Sequence, residues 1–209
     1  GVMIARSERD VLDFCARVPH AAIVQQYIPG HEFGVFYYRF PGEAQGRIFS
    51  ITEKRMPTVT GDGTSTLEEL VLRDPRAVAL AHVYCAAQSA RWAEAPAEGE
   101  TVQLVELGTH CRGAIFLDGA WIRTPELERA IDRISCRYDG FFFGRYDIRT
   151  PSPDDFRQGH NFKVVELNGV TSEATHIYDP QNGLWSAYRV LFEQWRIARE
   201  IGRRNVALG

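Results

Sequence analysis

Apolar residues in this chain follow two rhythms, one with helical spacing and one that alternates. Val11, Leu12, Phe14, Cys15 and Val18 recur at helical spacing. They follow Ser7-Glu8-Arg9-Asp10, a capping box with Asp in the third place, so a helix is predicted there. Residues 21–26 are short and apolar and read as a buried strand, closed by the Pro29-Gly30 turn. Residues 33–40 are aromatic and β-branched and predict a strand; residues 46–53 predict its return after Gly42. Ser65-Thr66-Leu67-Glu68 reads as a capping box opening a short helix, and the Ala-rich stretch 77–92 as another helix. Strands are expected at 102–107, 114–117, 141–149 and 162–168. Between them, Thr124-Pro125 should cap a helix that buries Leu127, Ile131 and Ile134. The last helix is expected over 184–203, with Leu184, Tyr188, Leu191, Trp195 and Ala198 as its buried stripe. Phe141, Phe142, Phe143 and Trp185 are expected in the core. Helices and strands mix without a regular βαβ order, which predicts an α+β fold.

Composition narrows the classes. A chain of 209 residues with 44% hydrophobic content can build a sizeable core, as one large domain or two lobes. Lys and Arg number 24 against 27 Asp and Glu, a net charge of −3, which gives no general affinity for nucleic acid. No apolar run approaches the roughly 20 residues that cross a bilayer, so no membrane partner is expected. Cys15, Cys85, Cys111 and Cys136 are scattered and form no CxxC, which fits free thiols and a cytoplasmic setting.

The most informative segment is Phe143-Gly-Arg-Tyr-Asp-Ile-Arg149 followed by Phe162-Lys-Val-Val-Glu-Leu-Asn-Gly169. Side chains alternate across a strand, so Arg145 and Asp147 share one face, as do Glu166 and Asn168. If the strands pair, two carboxylates and an amide oxygen converge beside an arginine. Such hard oxygen ligands suit Mg²⁺, and the arginine suits phosphate. Two other readings use the same residues. One is an exposed hairpin face with ordinary ion pairs. The other is a carboxylate pair for glycoside hydrolysis, which leaves Arg145 and Asn168 without tasks.

Arg145-Tyr-Asp147 followed by Glu166-Leu-Asn168 resembles the C-terminal signature of ATP-grasp enzymes, in the form found in D-alanine–D-alanine ligase-like members. The resemblance implies that Asp147, Glu166 and Asn168 ligate Mg²⁺ (or Mn²⁺) and that Arg145 contacts the reacting phosphoryl group. Ile23-Val-Gln-Gln-Tyr-Ile-Pro-Gly-His-Glu32-Phe is similar to the hinge between the two ATP-grasp lobes. That likeness puts Gln25 at the adenine edge, Tyr27 and Ile28 at the backbone hinge, and Glu32 on the ribose hydroxyls. Gln25 departs from the usual Glu, though an amide oxygen can also accept from an adenine amino group. Glu53-Lys-Arg-Met-Pro-Thr-Val-Thr-Gly-Asp-Gly-Thr-Ser-Thr is similar to a stretch of cyanophycin-synthetase-like ligases. It implies that Lys54 or Arg55 lies near the triphosphate or acyl-phosphate, and that Gly61 and Gly63 let the backbone bend around ligand.

Residues 169–180 follow the Asn directly and, in the family, line the acceptor and phosphate side. Ser172, Glu173, Thr175 and His176 are candidates there, and Arg112 is a further substrate candidate. His110-Cys111 invites a metal reading, but adjacent residues of an extended chain point apart and no fourfold zinc pattern exists. Cys111 lacks partners for nucleophilic catalysis, and neither GxxxxGK[ST] nor GxGxxG occurs.

The resemblance covers roughly residues 1–180. It implies an ATP-grasp fold of mainly antiparallel sheets flanked by helices, with residues 1–30 a remnant of the small lobe and hinge and 31–209 the C-terminal lobe. In the family a Lys-bearing strand and a Gly-rich loop should lie just before Gly1, so the chain reads as the C-terminal part of a longer ligase, whose N-terminal domain is an expected partner. The expected activity is ATP-dependent carboxylate–amine (or thiol) ligation through an acyl-phosphate, acting on small-molecule acids and amines. A degenerate nucleotide-binding module is the alternative. The aromatic C-terminal helix could also support self-association.

Overall fold

The computed structural model describes residues 2–107 and 112–208. Its centre is a five-stranded antiparallel sheet of order β5-β2-β1-β6-β7. The strands are β1 (His31–Tyr38), β2 (Arg47–Arg55), β5 (Ile115–Asp118), β6 (Phe143–Thr150) and β7 (Lys163–Asn168). A separate ribbon pairs β3 (Thr58–Thr60) with β4 (Thr101–Gln103). The helices are α1 (Glu8–Arg17), α2 (Leu67–Arg73), α3 (Ala81–Ala87), α4 (Pro125–Ser135), α5 (Pro153–Arg157) and α6 (Leu184–Leu208).

Alternation divides the sheet into an apolar and a charged face. Phe33, Val35 and Tyr37 of β1, Ile51 of β2, and Tyr146 and Ile148 of β6 point one way. They pack on Ile122, on Leu127 and Ile131 of α4, and on Phe156 of α5. A register shift between Phe36 and Tyr37 sets Tyr37 opposite Ile48, so Ile48 joins this core although its parity differs from that of Ile51. The tyrosine hydroxyls of this core are satisfied: Tyr37 donates to Asp132 at 2.7 Å, and the Tyr146 and Ser135 hydroxyls are 2.8 Å apart. A second cluster of Val59, Leu67, Val71, Tyr84, Val102 and Leu104 gathers the ribbon with α2 and α3. Phe36 and Phe143 leave the charged face at its far end to meet Ile197 and Ile201 of α6.

Local signals set several boundaries. Ser7 and Asp10 form the expected reciprocal cap on α1, and Thr124 accepts from Leu127 N–H at 3.1 Å to start α4. The box on α2 is shifted by one residue: Thr66 is the cap and Glu69 its partner, while Ser65 binds Asp62. Asp62 also accepts from the N–H groups of Thr64 and Ser65, which places Ser65 in the turn rather than at the cap.

Four expectations are corrected. Residues 21–26 are not a strand; no strand among the described residues lies beside them, and Ile23 and Val24 are exposed. The 77–92 helix is a short 3₁₀ turn, Ala77–Leu80, followed by α3, which ends at Ala87. The strand expected over 102–107 is only the three residues of β4, because the ribbon partner β3 is equally short. The stripe assigned to α6 faces mostly outward: Leu184, Tyr188 and Trp195 are exposed, Leu191 is half-buried and Ala198 packs on the core, while Trp185, expected in the core, is 84% exposed. The helix docks instead through Gln194, Ile197 and Ile201. The Gln194 amide accepts from Ala174 N–H at 2.9 Å and donates to the Ser172 carbonyl at 2.9 Å, so a polar residue anchors the buried face.

Candidate functional site

The second face of the sheet carries charge, and the register puts it in one place. β1 lies between β2 and β6, so Glu32 stands opposite both Lys54 and Arg149, and Gly34 opposite both Thr52 and Asp147. On β7, Asn168 is opposite Arg145 and Glu166 opposite Asp147. The hairpin therefore brings together the four residues that its sequence spacing singles out.

These side chains form a chain of alternating charge. The Arg149 Nε is 3.2 Å from Glu32 Oε2, and Lys54 Nζ is 2.9 Å from Glu32 Oε1. The same Lys54 Nζ is 3.0 Å from Asp147 Oδ2, whose other oxygen is 3.0 Å from Arg145 Nε. Side-chain exposure is 8% for Lys54, 10% for Asp147 and 15% for Arg145, so these pairs are held largely out of water. Arg145 also donates to the Glu173 carbonyl at 3.0 Å. Gly34 makes the close approach feasible, since a Cβ there would lie 3.3 Å from Arg145 Cδ and 3.7 Å from Asp147 Oδ1.

Lys54 and Arg55 diverge, as neighbours on a strand must. Lys54 enters the network, whereas Arg55 lies on the opposite side, exposed and 2.6 Å from Glu53. In the stretch expected to be the hinge, Gln25 and Tyr27 are exposed, and the Ile28 carbonyl accepts from Arg149 Nη1 at 2.6 Å. The Arg149 guanidinium also lies over the Tyr27 ring, 5.4 Å from its centroid. Gly30 carries the chain into β1 at φ +105°, where a Cβ would strike the Thr150 carbonyl.

Around the network, Ser172 donates to the Gly169 carbonyl at 2.6 Å, and Glu173 Oε1 accepts from Tyr178 at 2.7 Å, which pushes that phenol up to about 12. Thr175 meets Thr52 hydroxyl to hydroxyl at 3.1 Å. His176 sits in the 3₁₀ turn Thr175–Tyr178, and its Nδ1 is buried without a hydrogen-bond partner. Burial lowers its pKa against the opposing pull of Asp118 and Asp179. Arg112 is half-buried, and the next residue, Gly113, lines a cavity of about 280 Å³ with Arg76, Leu80, Tyr84, Phe116 and Tyr178. Phe116 is opposite Lys54 in the register, so this cavity adjoins the charged face. His110 and Cys111 lie outside the described residues; Cys15, Cys85 and Cys136 are free thiols. The Gly61–Gly63 loop is fastened to residues 96–100, with Gly61 N–H on the Glu100 carbonyl at 2.8 Å and Gly63 N–H on the Pro96 carbonyl at 3.1 Å.

The donor set suits a hard divalent cation. Asp147 and Glu166 stand side by side across two strands, and Asn168 is next to them. The Asn168 Nδ2, a hydrogen-bond donor that suits a phosphate oxygen rather than a cation, is buried without a partner, and the Oδ1 of the same amide is the atom that could serve a metal. Among the described residues no three His, Cys, Asp or Glu side chains form a metal cluster by themselves, so further ligands would come from phosphate and water. The residue that the sequence reading left without a role is Arg149. Its signal was present: it has the same strand parity as Arg145 and Asp147.

No protein-family model matches the sequence, and comparison with curated proteins finds no match. Among solved structures, the chain is similar to a bifunctional glutathione synthetase from Pasteurella multocida, with a TM-score of 0.54 and 16% identity. The match covers 81% of this chain and 24% of that one. The fold is that of an ATP-grasp protein, and the chain spans about a quarter of its structural neighbour. No helix among the described residues is long and apolar enough to cross a membrane.

Proposed function

We propose that this chain is the metal- and phosphate-binding lobe of an ATP-dependent ligase that joins a small carboxylic acid to an amine or thiol. The observation that carries the reading is the nearly buried run Arg149–Glu32–Lys54–Asp147–Arg145, with Glu166 and Asn168 set directly across from Asp147 and Arg145. Five charges held out of water are a poor way to stabilise a sheet and a good way to meet a charged ligand. The ATP-grasp fold and the ligase named as the structural neighbour support the same class.

In this reading Asp147, Glu166 and Asn168 would hold Mg²⁺ or Mn²⁺, which neutralises phosphate charge when bound. Lys54 and Arg145 supply fixed positive charge to the transferring phosphoryl group. A substrate carboxylate oxygen attacks the γ-phosphorus, ADP leaves, and an acyl-phosphate results. The amine (or thiol) then attacks the acyl carbon, phosphate leaves, and the nucleophile gives up its proton. The chain's work is positioning and charge neutralisation. Glu32 takes the ribose hydroxyls, with Gln25, Tyr27 and Ile28 at the base. Arg112, Ser172, Glu173 and His176 border the acceptor side. A cytoplasmic setting and an N-terminal domain of the same protein as partner belong to this proposal.

The test is calorimetric titration of a non-hydrolysable Mg-ATP analogue into the chain and into Asp147→Asn/Glu166→Gln. Binding that requires Mg²⁺ and disappears in the double variant supports the reading. Metal-independent binding that survives the substitutions points instead to a degenerate nucleotide-binding module.

A further inference from the structure

The structure assigns to Arg149 a task beyond the metal-side chemistry: we propose that it is the positioning residue for the sugar end of the nucleotide. It would fix the Glu32 carboxylate and the hinge backbone in one orientation and so set discrimination between ribose and deoxyribose. The inference rests on the reading of Glu32 as the ribose acceptor.

Three contacts converge on one guanidinium. Its Nε is 3.2 Å from Glu32 Oε2, its Nη1 donates to the Ile28 carbonyl at 2.6 Å, and its plane lies over the Tyr27 ring at 5.4 Å. These partners lie in two segments, the hinge and the start of β1, yet all belong to the stretch that would face base and sugar. Arg149 is 8% exposed, so its orientation is imposed by packing. A lysine could meet one of these partners; only the planar fork meets all three.

The consequence for Glu32 is geometric. One oxygen is held by Lys54 and the other by Arg149, each leaving a lone pair unspent. A carboxylate tethered at both oxygens presents those lone pairs in a fixed direction, which suits a vicinal diol better than a single hydroxyl. Lys54 cannot supply this alone, since it also serves Asp147. Lys163 is opposite Arg149 in the register and exposed, a further cation at this end.

A bland alternative exists: Arg149 could simply fasten the hinge segment to the sheet. The two differ in what they do to the sugar preference. The experiment compares binding of Mg-ATP and Mg-2′-deoxy-ATP to the unaltered chain, to Arg149→Lys and Arg149→Met, and to Glu32→Gln, with circular dichroism to confirm folding. The expected result is about a tenfold preference for ATP in the unaltered chain, on the order of one charge-assisted hydrogen bond. That preference should collapse to within about twofold in Arg149→Met, recover only in part in Arg149→Lys, and collapse equally in Glu32→Gln. A double variant should lose no more than either single one. Equal weakening of both nucleotides with the preference intact makes Arg149 a structural fastener and overturns the inference alone. Absence of nucleotide binding by the folded, unaltered chain overturns the functional reading and this inference together.

Discussion

Removing Lys54 should cost less stability than removing Asp147, although each makes two ion pairs. Lys54 bridges two carboxylates, at 2.9 Å to Glu32 and 3.0 Å to Asp147. Each bare attraction is about 5 kcal/mol at an effective dielectric of 20, before desolvation is subtracted. The count of charges decides the net effect. The network holds three cations, Lys54, Arg145 and Arg149, against Glu32 and Asp147. Lys54→Met leaves two cations and two anions: Glu32 keeps Arg149 and Asp147 keeps Arg145. Met also refills most of the lysine's volume, so the expected loss is about 1–2 kcal/mol. Asp147→Asn leaves three cations against one carboxylate, with Arg145 reduced to the Glu173 carbonyl. The cost of leaving such a charge unpaired is about 3–5 kcal/mol. For a chain of this size that corresponds to Tm drops of roughly 3–6 °C and 8–15 °C. Urea denaturation followed by circular dichroism gives the midpoint and slope, and an unchanged slope confirms that stability alone moved. A larger loss in Lys54→Met than in Asp147→Asn would refute charge balance as the governing term.

Other expectations follow from the same geometry. Lys54→Met frees Asp147 Oδ2, so Mn²⁺ affinity without nucleotide, read by paramagnetic relaxation, should rise about tenfold; no change would remove Lys54 as the competitor for that oxygen. Burial holds His176 below the ordinary value of 6.5. Its stabilising contribution is therefore present above pH 6.5 and lost as pH falls through the lower folded value; His176→Gln should flatten that part of the stability–pH curve. A Cβ on Gly61 would sit 2.3 Å from the Ala97 carbonyl, whereas one on Gly183 meets nothing within 4 Å. Gly61→Ala should cost more than about 2 kcal/mol and Gly183→Ala under about 0.5, compared by thermal unfolding. Thr66→Ala removes the α2 cap and should cost about 1 kcal/mol, while Ser65→Ala should not act through that cap.

The candidate site was unusually open to sequence reading because its residues lie on strands, and strand parity is a local property. Arg145 with Asp147 and Glu166 with Asn168 could be assigned to faces from spacing alone. Choosing between Lys54 and Arg55 needed the register, because either could face the site until β2 was paired with β1. Arg149 shared the parity signal, but its partners Ile28 and Tyr27 lie about 120 residues away in sequence. The hinge stretch read as a strand because Ile23 and Val24 are β-branched, yet propensity cannot supply the neighbour a strand requires.

By itself the sequence determined the elements whose causes are local. These are the Ser7 and Thr124 caps, the turn at Gly30 and the alternating strands, together with the mixed α+β class that their order implies. Only the tertiary structure decided what long-range pairing must settle. The bulge at Phe36 and Tyr37 brought Ile48 into the core. The face that α6 buries followed from Gln194 capturing the backbone of Ser172 and Ala174, against the more apolar stripe of the same helix. Periodicity reports where a helix is apolar, but burial goes to the face whose polar groups find partners, because an unsatisfied backbone group costs about as much as a buried apolar side chain contributes.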